Sequence, residues 1–180
     1  ELELWEGNFQ EADGQEPEAA LTLLWARIAA FPFVVSGNHR DLRHFLLRHL
    51  LSILARINNG ERWYQPPDLC RGYLHLQLGE NVEAERYLRI LLEDCPGNGL
   101  LHRYLGDALW RQGRADVARA AYAAALLFAP HDVTAETMPI PQLETIIMEY
   151  GPALAPIYGY FAGIFPLVEL PCPPVGTEAR

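Results

Sequence analysis

Four pairs of small or helix-ending residues recur at one interval: Gly72 and Gly106, Gly79 and Gly113, Ala84 and Ala118, and Pro96 and Pro130 each stand 34 residues apart. A fixed period of this length makes the fold a repeat of one supersecondary unit. Such a unit cannot bury its apolar face alone and must stack on a neighbour. Between the markers the apolar residues follow helical spacing. They predict helices at about 67–78, 81–94, 99–112 and 115–128, separated by short turns that hold Gly79, Gly97 and Gly113. No strand-like alternation persists anywhere, so the expected fold class is all-α.

This pattern resembles the tetratricopeptide repeat (TPR) family, whose unit is a pair of antiparallel helices with small residues where they cross. Ending each unit two residues after its Pro gives repeats at 65–98 and 99–132. Leu105, Gly106, Ala118, Tyr122, Ala125 and Pro130 meet the family's pattern in the second unit. Gly72, Ala84 and Pro96 meet it in the first, with Leu88 at the usual aromatic position. The first unit departs at Arg71, where an apolar residue is usual, and at Leu91, where a small one is. In this register Gly72 and Gly106 lie on the first helix of each hairpin and Ala84 and Ala118 on the second, where larger side chains would hold the helices apart. Gly79 and Gly113 end the first helices in a left-handed residue, and Pro96 and Pro130 end the second.

The resemblance implies antiparallel hairpins stacked as a short TPR-like α-solenoid, a non-catalytic module whose first helices form a concave partner-binding face. By family position that face carries Leu69, Tyr73 and Leu76 in the first unit. In the second it carries Arg103, Asp107 and Trp110, with Leu100 and Arg111 near the edge. One subgroup of the family clamps a C-terminal carboxylate with Lys and Asn; here Leu69, Tyr73, Arg103 and Asp107 stand instead. An aromatic groove with one Arg suits an apolar helix or extended peptide better. The competing reading is that Tyr73 and Trp110 pack in the core.

The flanks read as atypical caps on a single helical domain. Residues 1–15 are an acidic, solvated lead-in. Residues 16–60 are divergent helices. Pro17 opens a helix from Ala19 to Phe31, with Ala20, Leu24 and Pro32 at family positions, and an amphipathic helix runs from about His39 to Ile57 behind Ser36-Gly37-Asn38. Arg40, Arg43 and Arg48 give that second helix a basic side, suited to solvent, to the acidic lead-in or to an acidic partner. Residues 140–170 form apolar capping helices, beginning with Gln142 to Tyr150 after a turn flanked by Pro139 and Pro141. Gly151 to Val168 holds no charge. It is short for a membrane span and carries Pro152, Pro156 and Pro166, so it suits a cap or a groove-filling segment, in its own chain or in a homodimer. The Pro-rich tail from Pro171 to Arg180 reads as poorly ordered.

Composition removes other functions. The net charge is −9 and there is no lysine, which argues against nucleic acid, a phosphate-binding loop or a Schiff base. Serine occurs only at Ser36 and Ser52, neither in a nucleophile elbow. Cys70, Cys95 and Cys172 form no C-x-x-C and suit reduced thiols in the cytoplasm. His39, His44 and His49 recur every five residues, so helical rotation splays them, and no zinc-protease motif accompanies His75 or His102. The dipeptide His131-Asp132 is explained by helix end-capping. The expected partner is therefore a protein or peptide, with no cofactor and no metal. The alternatives are self-association through 151–168 and an accessory domain of an enzyme.

Overall fold

The computed structural model describes residues 2–33, 37–132 and 138–168. Ser36 and the tail from Pro171 lie outside the described residues. The described elements are α1 (Leu2–Asp13), α2 (Pro17–Ala30), α3 (Gly37–Leu54), β1 (Tyr64–Gln65), β2 (Leu69–Cys70), α4 (Arg71–Gln77), α5 (Asn81–Asp94), α6 (Gly99–Arg111), α7 (Ala115–Phe128), α8 (Pro141–Tyr150) and α9 (Ala155–Phe161). The chain is all-α apart from the short antiparallel ladder of β1 and β2, and it divides within α5 into two units, 1–87 and 88–180.

In the first unit α2 packs against both α1 and α3, and α3 packs against α4. The acidic lead-in is a helix. Trp5 is only 2% exposed, and its ring lies 6.4 Å from Phe9 and 5.7 Å from Phe31. Trp5, Phe9 and Ala12 fall on one helical stripe, which turns the carboxylates of Glu6 and Glu11 outward. Charge density concealed that stripe from a reading based on composition. Asn8, also buried, precedes Ala20 by the 12 residues that separate Gly72 from Ala84 and Gly106 from Ala118, and α1 packs against α2. Leu21, Leu24, Leu47, Leu50 and Leu54 complete this core.

The predicted helix at 67–78 starts later than expected. Pro66 and Pro67 donate no backbone hydrogen bond and keep the residues before them extended. Tyr64–Cys70 therefore pair as a hairpin, tied by the Tyr64 hydroxyl donating to the Pro67 carbonyl at 2.8 Å. Cys70 then caps α4 by accepting from the Tyr73 N–H at 3.4 Å, and burial pushes its thiol up to about 12. Arg71, the departure from the family pattern, lays its guanidinium over the Tyr87 ring at 4.7 Å. The charged head thus meets an aromatic face as a cation–π contact where an apolar side chain is usual.

The ends of α4 and α6 are superimposable in kind. Gly79 and Gly113 both have φ +78°. The Gly79 N–H donates to Leu76 O and Glu80 N–H to His75 O. The Gly113 N–H donates to Trp110 O and Arg114 N–H to Leu109 O. These are two Schellman motifs, 34 residues apart, that satisfy the last carbonyls of each helix. Ala84 and Ala118 are both fully buried, and Pro96 and Pro130 follow the ends of α5 and α7.

In the second unit α6 and α7 make the most extensive helix pair. A Cβ on Gly106 would lie 2.5 Å from Tyr122 Cε1, and one on Gly99 2.8 Å from the Ala125 carbonyl oxygen. The close approach predicted at Gly106 is made to the Tyr122 ring. The alanines of α7 let helices approach on more than one side, and α9 packs against α7 while α8 packs against α9. Gly151 ends α8 at φ +80°, and Phe165, 3% exposed, folds back onto Gly159. The apolar C-terminal segment thus meets the second unit through α9 on α7. No helix of the described residues is long and apolar enough to cross a membrane.

Candidate binding site

The stripe Arg103, Asp107 and Trp110 is set by helical geometry, since spacings of four and three residues share a face. Asn98 fixes where the stripe begins, because its side chain caps α6 by accepting from the Leu101 N–H at 3.1 Å. These residues line a cavity of about 320 Å³ with Arg111, Tyr122, Met138 and Pro139.

The centre of the cavity is a polar knot. The Tyr122 hydroxyl donates to Asp107 Oδ1 at 2.9 Å. Arg103 Nε lies 3.6 Å from Asp107 Oδ2, outside hydrogen-bond distance, and finds no acceptor among the described residues. Burial pushes the Asp107 carboxyl above its ordinary value, against the opposing pull of Arg103, the Tyr122 bond and Arg111. Burial, and then the Asp107 charge, also push the Tyr122 hydroxyl far up, so it stays a donor. Asp107 is thereby held as an acceptor facing inward, and the Trp110 ring, 6.5 Å from Tyr122, forms the apolar wall.

The other predicted face residues are placed differently. Leu69 sits on β2 and is fully buried, and Leu76 is 1% exposed, so neither is offered to a partner. Both residues of β2 are buried, and Leu76 lies on the buried stripe of α4 with Gly72 and Leu74. Tyr73 is half-buried with its ring edge on Trp25 at 6.1 Å. Tyr122, read from sequence as a packing residue, also lines the site; its repeat spacing announced the packing but not the bond to Asp107. Met138 and Pro139 were not legible as site residues, since Pro139 signalled only a turn and their place beside α6 is a tertiary contact.

The basic side of α3 is engaged within its own unit. Arg43 donates to Gln77 Oε1 at 2.9 Å, and Arg48 pairs with Glu80 at 3.0 Å. The acidic α1 instead meets α2, through Glu11 and Arg27 at 3.8 Å. His75 Nδ1 lies 2.7 Å from Glu80 and its ring stacks on Tyr87. His102 Nε2 lies 2.8 Å from the Pro96 carbonyl, and burial lowers its pKa. Among the described residues, no group of three or more His, Cys, Asp or Glu side chains is placed to hold a metal ion. Comparison with family models, curated proteins and solved structures finds no match for this chain.

Proposed function

We propose that this chain is a non-catalytic, TPR-like protein-interaction module that holds an apolar helix or extended peptide of a partner protein along α6. The observation that carries the reading is the cavity shared by Arg103, Asp107, Trp110 and Tyr122. It combines a large aromatic anchor with a cation on a rigid helix, the residue types that dominate binding energy at interfaces. Met138 and Pro139 of the chain itself already lie along this cavity, so apolar side chains suit its walls beside Trp110. A cytoplasmic setting belongs to the same reading, since free cysteines such as Cys70 and Cys95 suit a reducing compartment.

The test is capture of a partner from cell extract on the immobilised chain, followed by affinity measurement with purified components. Trp110→Ala, matched to the parent in melting temperature, should weaken binding roughly 30-fold, the effect of losing one interface hot spot. A partner that binds the parent, Trp110→Ala and Arg103→Ala equally well shows that α6 is not the working surface.

A further inference from the structure

We infer that the second unit carries a self-association face, and that its occupant is a second copy of this chain. The face is a hollow of about 240 Å³ between α7 and the C-terminal segment. Ala123 of α7 is buried at its base, and Ile157, Tyr160, Phe161 and Leu167 stand around it. Phe161 is 79% exposed and Leu167 78%. The hollow shares no residue with the cavity on α6, so this inference is independent of the proposed partner groove.

A two-fold contact sets strict conditions, because the same surface must meet itself. Protrusions and a recess must lie side by side on one face. Here Phe161 and Leu167 project at the edge of a recess lined by Ala123, Leu127 and Pro156, so a two-fold axis beside the hollow seats each copy's Phe161 against the other's recess. Charges on the face would meet their own kind. Gly151–Val168 holds no charged residue although the chain carries −9 in all, so two copies that meet through this segment bring none of its side chains into like-charge contact.

The area is also in range. With ~200 Å² for a large apolar side chain, the exposed parts of Leu127, Ile157, Tyr160, Phe161 and Leu167 come to roughly 600 Å² per copy. A standard interface buries about 800 Å² per partner, of which the rim is polar. A patch of this size stands at the upper end of what soluble monomers expose.

The experiment is sedimentation velocity on the full chain over a range of micromolar concentrations, with Phe161→Glu, Leu167→Glu and Met148→Glu as variants. Met148 is 82% exposed on α8 and does not line the hollow, so it controls for added charge on an apolar surface. The parent and Met148→Glu should sediment at twice the 20.3 kDa chain mass. Phe161→Glu and Leu167→Glu should sediment as folded monomers, with self-association weakened by about 100-fold or more. Circular dichroism melts confirm that these exposed substitutions leave the fold intact, and if one unfolds the chain the other decides. A parent that stays monomeric at every concentration overturns the proposal; truncation after Val168 then tells whether residues 169–180 fill the hollow instead. A dimer that survives both glutamate variants overturns it as well.

Discussion

Replacing Gly106 with alanine should destabilise this protein, although the same change in most helices does the opposite. Glycine within a helix costs about 1 kcal/mol relative to alanine, so the substitution starts with that gain. Against it, the new Cβ would stand 2.5 Å from Tyr122 Cε1, 2.6 Å from Cδ1 and 3.0 Å from Cζ. Tyr122 is fully buried and its hydroxyl is held by Asp107 at 2.9 Å, so the ring has no free end to move. Overpacking of a core costs about 1–3 kcal/mol. Displacing the ring also strains a hydrogen bond to a charged group, worth about 1.5–3 kcal/mol. The balance is a loss of about 1.5–5 kcal/mol, read as a lower urea midpoint with unchanged slope. Gly7, on α1 with nothing within 4 Å of its would-be Cβ, is the matched control. Gly7→Ala should gain about 0.5–1 kcal/mol. In a Tyr122→Leu background the Gly106→Ala step should shrink to near zero or turn favourable, because the obstructing ring is gone. If Gly106→Ala stabilises the chain as Gly7→Ala does, the α6–α7 contact described above is wrong.

Three further outcomes are expected. Trp5→Ala should cost about 3–5 kcal/mol in urea unfolding, the loss for an enclosed aromatic; a loss below about 1 kcal/mol would remove α1 from the core. Ala118→Trp, at a fully buried position on α7, should lower stability by about 1–3 kcal/mol or more, and a variant that melts like its parent would show the repeat register to be misplaced. Asp107 has a raised folded-state pKa, so between its unfolded and folded values the native state binds more protons and stability falls as pH rises. The parent should therefore lose stability relative to Asp107→Asn as pH climbs out of the acid range, measured by thermal melts across pH; a parent that gains relative to the variant would reverse the assigned direction.

The all-α class, the two helix pairs, their glycine-ended first helices and the buried Ala84 and Ala118 were legible in the sequence, because each follows from spacing within one helix or one turn. The family resemblance placed Arg103, Asp107 and Trp110 together, and their spacings of four and three residues fit one helical stripe. The same periodicity was present in α1, where Trp5, Phe9 and Ala12 share a stripe. Its acidic neighbours outweighed three apolar residues in composition, although only the stripe meets the core.

Spacing alone determined which residues can share a face, since that depends on helix pitch. Only the tertiary structure decided which faces are covered. Leu69 and Leu76 occupy the same repeat positions as Arg103 and Trp110, yet the first pair is buried and the second lines a cavity. The double proline ahead of α4 turned Leu69 into a strand, and the packing of α7 brought the Tyr122 hydroxyl to Asp107, a residue 15 positions away. The strand at Leu69 follows from its neighbouring prolines, but which faces are covered and which hydroxyl reaches Asp107 depend on contacts between separate elements, where packing geometry rather than spacing within one helix sets which atoms meet.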